Sequence, residues 1–178
     1  MPIKVFDGGL RGNTVHVGID QSYSGFAITM LNQSGHYTTV YKPDSRGIQR
    51  LADLRTHLIS SLIDYNILDI AIEGYAFGSQ MANMLGELGG MVKLTLHDWG
   101  MYPLIVPPTS LKKYVAGKGN GVSKSQMLLQ VYKNWNVEFT DDNAADSYSL
   151  ARVVSASHTF AYQKEVYDKL QDPKFRER

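Results

Sequence analysis

Cysteine is absent from the 178-residue chain, which removes disulfides, thiolate catalysis and Cys-ligated zinc together. No apolar run approaches the ~18 residues of a membrane-crossing helix, and the opening MPIKVFDGGLRGN lacks the apolar segment of a secretion signal. Neither sign of charge prevails: eighteen Lys and Arg stand against seventeen Asp and Glu, a formal +1. That balance speaks neither for nor against a nucleic-acid partner, because a basic face can coexist with an acidic cleft. The five histidines, His16, His36, His57, His97 and His158, show no metal-ligand spacing, and no role follows for them. Internal repeats and low-complexity stretches are missing too. The expectation left standing is a soluble protein of a reducing compartment, the cytoplasm.

Apolar residues make up 43% and charged residues 20%, near the average of soluble globular domains. The length suits one domain with a well-buried core. Residues 1–13, with DGG and RGN, read as an irregular lead-in. TVHVGID (14–20), GFAITML (25–31) and HYTTVYK (36–42) carry strand patterns, with NQSG as a hairpin turn. The chain is thus predicted to open with a three-stranded antiparallel meander. Ile48, Leu51, Leu54, Leu58, Ile59 and Leu62 then form one stripe of a helix. LDIAIEG (68–74) is a short apolar strand of the kind buried on both faces in a parallel sheet. SQMANMLGELGGMVKLTLHDWG is helical by period, and YPLIVPP is a further strand. PTSLKKYVAG and SKSQMLLQVYKNW make two shorter helices around the loop GKGNG. A final helix opens in TDDNAADSYSLARV (140–153) and runs to about residue 160, followed by a charged, partly ordered tail over 161–178. The reading is one α/β domain over 14–160, a five-stranded mixed sheet flanked by helices.

Acids sit at the ends of these elements. Asp20 closes the first strand, Glu73 closes the fourth, and Asp146 lies in the first turns of the last helix. Ligands of such sheets gather at the carboxyl ends of neighbouring parallel strands. If the first and fourth strands are adjacent, Asp20 and Glu73 emerge side by side. Asn143 and Asp146, three apart, share a helix face. Three carboxylates and an amide oxygen are hard ligands suited to Mg²⁺ or Mn²⁺, and paired ions ~3.5–4 Å apart suit phosphodiester hydrolysis. Each acid alone has a plainer reading as turn residue, cap or helix-dipole partner. Glu73 resists it, since a carboxylate beside a buried strand is costly without a cation or donor. Asp141 or Asp142 suits the helix cap.

The order of four motifs, VGIDQSYSGFAI, LDIAIEGYAFG, VPPTSLKKYVAGKGNGVSKSQM and DDNAADSYSLA, resembles the RuvC Holliday-junction resolvases, especially their phage-type members. The resemblance runs from about Val15 to Val154. Its first motif alone also opens actin-like ATPases and sugar kinases, whereas four in order are far more specific. The resemblance implies a ribonuclease H-like fold, a homodimer, Mg²⁺ or Mn²⁺, and paired nicks in four-way DNA junctions that leave 5′-phosphate and 3′-hydroxyl ends. For a phage-encoded member the compartment is the host cytoplasm.

Carried over residue by residue, the resemblance places metal ligation on Asp20, Glu73 and Asp146. The fourth acidic position of the family falls on Asn143, a neutral and weaker ligand, with Asp142 as the alternative source of charge. Lys112 and Lys124 match lysines needed for cleavage, where they would stabilise a developing oxyanion. Lys113 and Lys118, in the same glycine-interrupted stretch, read as phosphate contacts, or else as a solvated loop. Tyr75 or Phe77 matches an aromatic wedge that stacks on DNA bases, against a plainer role in packing. The helix with Met81, Met84, Leu85, Leu88 and Met91 matches the family's two-fold interface, and its Gly86, Gly89 and Gly90 call for a close neighbour. Two other readings remain: a junction-binding protein without cleavage, with Asn143 as the lesion, and a small actin-like ATPase. The second is disfavoured by the lack of a second lobe and a second phosphate-binding glycine loop.

Overall fold

A computed structural model describes residues 13–75 and 82–176. Five strands, β1 (Thr14–Asp20), β2 (Phe26–Asn32), β3 (Gly35–Tyr41), β4 (Asn66–Glu73) and β5 (Leu104–Val106), form one sheet in the order β3-β2-β1-β4-β5. β1 pairs antiparallel with β2, and β2 with β3, which is the predicted meander. β4 lies parallel to β1, and β5 parallel to β4. The mixed five-stranded sheet matches the expectation. Around it pack α1 (Gly47–Leu62), α2 (Ala82–Asp98), α3 (Pro108–Ala116), α4 (Lys124–Trp135), α5 (Asp142–Val154) and α6 (Ala161–Leu170). No helix among the described residues is long and apolar enough to cross a membrane.

Alternation along the strands assigns each sheet face to its own helices. Val15, Val17 and Ile19 of β1, with Ile70 and Ile72 of β4, pack against Leu54 and Leu58 of α1 and Leu88, Val92 and Leu96 of α2. The residues between them face α5. At Gly18 a Cβ would collide with the Ser147 carbonyl oxygen and the Ala151 amide and stand 2.9 Å from the Leu150 Cβ. Glycine is therefore what lets α5 lie directly on β1. Ala71 belongs to this second core, with Tyr114, Tyr148, Leu150 and Val153. Asp20 has the parity of Gly18, and Glu73 that of Ala71, so both acids head toward α5.

The C-terminal part departs from the sequence reading. The last long helix stops at Val154, because Ala156 takes a left-handed φ of 53°, the conformation that commonly ends helices. Residues expected as a loose charged tail instead include α6, whose Gln163, Val166 and Leu170 are buried. Its charges line the outer side, with Lys164 Nζ 2.6 Å from Asp168. Further on, Arg176 donates to both Asp69 oxygens, at 2.8 and 2.9 Å. A β-bridge between Arg176 and Leu104 covers the edge of β5, which would otherwise be open to pairing. Most of the lead-in, residues 1–12, lies outside the described residues.

Candidate metal centre

Strand register brings the first two acids together. Ile19 of β1 pairs with Ile72 of β4, so Asp20 and Glu73, one residue further on, leave adjacent parallel strands side by side. Glu73 in turn pairs with Val106 of β5, and the Gly74 amide donates to the Val106 carbonyl at 2.8 Å. Gln21 Nε2 ties the loop to this edge by donating to the Glu73 carbonyl oxygen at 2.8 Å. The third acid comes from α5, which Gly18 allows onto β1.

The start of α5 is fixed by a cap. Asp141 accepts from the Asn143 and Ala144 amides at 3.0 and 3.2 Å, which assigns the cap to Asp141 rather than Asp142. Lys42, past the end of β3, holds the same carboxylate at 3.0 Å. Burial opposes ionisation of Asp141, but the Lys42 and Ala144 hydrogen bonds outweigh it and hold the carboxyl below its ordinary range. One turn on, Asp146 enters the cluster.

The electrostatics are those of crowded, desolvated anions. Asp20 is 4% exposed, and burial first, then Glu73, Asp146 and Asp142, push its carboxyl well up. Glu73 is raised to about 7, chiefly by burial, with Lys112 pulling the other way. Asp146 reaches about 8 through burial, then the charges of Glu73 and Asp142, against Lys112 and Lys124. Its Oδ1 is buried with no hydrogen-bond partner. Buried carboxylate oxygens without donors are costly, and their hard-oxygen chemistry fits Mg²⁺ or Mn²⁺. Among the described residues no three His, Asp or Glu side chains already close around one point as an ion's ligands would. The acids form an open, mutually repelling set, not a finished cage.

The remaining predicted residues divide. Asp142 is ion-paired with Lys124 at the entrance to α4 and acts on both Asp20 and Asp146. Asn143 instead lodges its side-chain amide beside Gly25, 2.6 Å from where a Cβ would be. Lys112 lies on α3 within electrostatic reach of Glu73 and Asp146. Lys113 is turned to Glu165 of α6, at 2.6 Å, and Lys118 is exposed in the loop between α3 and α4. Tyr75 rests its hydroxyl on Gly89 of α2, where a Cβ would collide with it, and Lys93 Nζ stands 5.7 Å from its ring centroid. That close neighbour accounts for Gly89. Phe77 and Met81 lie outside the described residues.

Gln21 and Lys42 are site residues that sequence reasoning missed. Gln21 directly follows Asp20 and could have been flagged by that adjacency. Lys42 had no local signal, since its partner is 99 positions away.

No protein-family model matches the chain, and no curated protein matches it by sequence. Solved structures do. RuvC of Thermus thermophilus superposes with a TM-score of 0.63 at 17% identity, covering 88% of this chain and 96% of that one. The same organism's RuvC in complex with a Holliday junction substrate gives 0.65 at 16% identity, with the same coverage. A Fowlpox virus resolvase in complex with Holliday junction DNA covers 78% of this chain and 96% of its own, with a TM-score of 0.47 and 15% identity. At such identities the likeness is one of fold. The architecture is the ribonuclease H-like fold of the RuvC structures, in agreement with the motif resemblance.

Proposed function

We propose that the protein is a divalent-metal-dependent endonuclease of branched DNA, acting foremost on four-way junctions as a homodimer. The observation that carries this reading is the convergence of buried Asp20 with half-buried Glu73 and Asp146, each with its ionisation opposed, from three separate elements. Such a set is stable as carboxylates only when a cation joins it. Asp20, Glu73 and Asp146 are the ligands of choice for Mg²⁺ or Mn²⁺. Asp142 is favoured over Asn143 as the fourth acid, because its charge already acts on the cluster and Asn143 is turned toward Gly25. When bound, the ions supply an acidified water and positive charge against the phosphodiester.

The chain's own groups do the rest. Lys112 offsets charge at Glu73 and Asp146, and Lys124, held by Asp142 at the mouth, meets incoming phosphate oxygens. Lys118 and the glycines of its loop suit phosphate contacts further out, and Lys113 joins them on leaving Glu165. Phe77 is the better candidate for base stacking, since Tyr75 is seated on Gly89. Four-way junctions head the substrates because one RuvC neighbour is bound to a Holliday junction, and a two-fold dimer suits two symmetric cuts.

The test is incubation of a labelled four-way junction, a fork and a linear duplex with the protein and Mn²⁺ or Mg²⁺. Paired nicks in the junction, absent with EDTA, are expected. Junction binding without nicking would support the second reading, a non-cleaving binding protein in which Asp142 does not make good the neutral Asn143. Neither binding nor nicking would end both.

A further inference from the structure

At the far end of β1 from the acids, a cavity of about 830 Å³ opens between the β2–β3 turn and the C-terminal end of α5. His16 lies four residues before Asp20 on β1 and Arg152 six residues after Asp146 on α5, so the two sites are separated by roughly 9–13 Å along these elements. Arg152 supplies the cavity's charge. Its Nε and Nη2 donate to the Tyr148 hydroxyl at 2.8 and 2.5 Å. Its guanidinium carbon stands 5.1 Å from the Tyr148 ring centroid and 5.7 Å from that of Trp135. Among the described residues no carboxylate pairs with it. The cation is held by aromatic rings and a phenol, which fix its position and leave its charge uncompensated.

Two imidazoles line the same space. Nδ1 of His16 is buried and has no hydrogen-bond partner. His36 is 8% exposed, and a chain of hydroxyls sets its tautomer. Ser147 donates to the Ala144 carbonyl at 3.0 Å, so Thr29 must donate to Ser147 at 2.8 Å and Thr38 to Thr29 at 2.8 Å. Each hydroxyl has one proton to give, which leaves His36 Nδ1 as the donor to Thr38 at 3.3 Å. The other ring nitrogen of His36 is then a bare acceptor. Burial, and then the Arg152 charge, push His36 down to about 4, so the ring is neutral at physiological pH. The cavity thus offers one fixed cation, an orphaned imidazole nitrogen and a neutral acceptor, with Ser155 and Ser157 at its rim. Its volume is that of a small-molecule site, larger than a bare oxyanion needs.

We propose that this cavity binds the phosphate group of a nucleotide-sized ligand, with the Arg152 guanidinium as anion receptor and the His16 imidazole as a second partner. The phosphate belongs either to a free nucleotide or to a nucleic-acid backbone, a monoester or a diester, and both present anionic phosphate oxygens to the guanidinium. The site goes beyond the proposed nuclease centre and does not depend on it.

Trp135, beside Arg152, is the reporter. The full chain carrying Trp99→Phe is titrated with inorganic phosphate, with dAMP and with a short linear duplex at constant ionic strength, and Trp135 fluorescence is read. A saturable change is expected with at least one of them. Ser157→Glu, which puts a negative charge on the exposed rim without touching the core, should weaken it by about tenfold or more, and Arg152→Lys likewise. A response to dAMP assigns the site to free nucleotides, and a response to duplex alone assigns it to the backbone. No saturable response to any of the three, or one that Ser157→Glu leaves unchanged, overturns the proposal.

Discussion

Burial opposes the ionisation of Asp20, Glu73 and Asp146, and no lysine or arginine pairs with them at hydrogen-bond distance among the described residues, while Asp141 and Asp142 each hold a lysine. Removing one charge from the first group relieves repulsion and, on the proposed reading, removes a metal ligand at once. Asp20→Asn or Glu73→Gln should therefore lower junction nicking by more than the about 10- to 100-fold typical of outer partners of a metal site. Junction affinity in EDTA should hold or rise, because less negative charge meets the phosphates. A gel assay of nicking and a binding titration check both, and normal cutting by Asp20→Asn would refute the site. The neighbouring pair gives a sharper comparison. Asp142→Asn should cost at least about tenfold in nicking, since it removes a charge and frees Lys124. Asn143→Asp should leave activity intact or shift its preference between Mg²⁺ and Mn²⁺. The reverse ranking would hand the fourth position back to Asn143.

At the scale of elements, the glycines separate contact from open space. Gly18→Ala forces a methyl into the α5 backbone and should cost about 1–3 kcal/mol or more, as overpacking does. At Gly86 and Gly90 an added methyl would have nothing within 4 Å among the described residues, so alanine at either should raise stability by about 1 kcal/mol. Gly89→Ala instead evicts Tyr75 from its seat. Denaturant midpoints should place the alanines at 86 and 90 above the parent chain and those at 18 and 89 below it. A stabilised Gly18→Ala would contradict the packing of α5 on β1. These positions also explain which elements were legible. β1, β2 and β3 announced themselves because alternation and the NQSG turn are local signals. The end of α5 did not, because Ala156 adopts the left-handed conformation without being glycine. Nor did α6: its buried Gln163, Val166 and Leu170 are spaced for a helix, but the surrounding charges read as a solvated tail.

For the whole molecule, the legible part of the site was its pole and the illegible part its partners. Strand ends and helix starts are written locally, so Asp20, Glu73 and Asp146 could be placed at one end of the sheet. Lys42 with Asp141, and Asn143 against Gly25, join residues that only the fold makes neighbours. The acid pole also couples global stability to pH. The ordinary values of these carboxyls are 3.8 for Asp and 4.5 for Glu, whereas Glu73 is raised to about 7 and Asp146 to about 8 in the folded chain. The fold therefore binds more protons than the unfolded chain across that interval, and stability must fall as pH rises through it. His36, lowered to about 4 from 6.5, acts with the opposite sign below pH 6.5, so the comparison belongs between about pH 6.5 and about 8.5. In EDTA the Tm should drop over that range. Mn²⁺ or Mg²⁺ should restore it most at the alkaline end, with proton release on binding, because the cation takes the protons' place. Asp146→Asn should flatten the pH dependence and weaken the metal's effect. Thermal unfolding that is indifferent to both pH and metal across this interval would mean that the three acids neither repel one another nor share an ion.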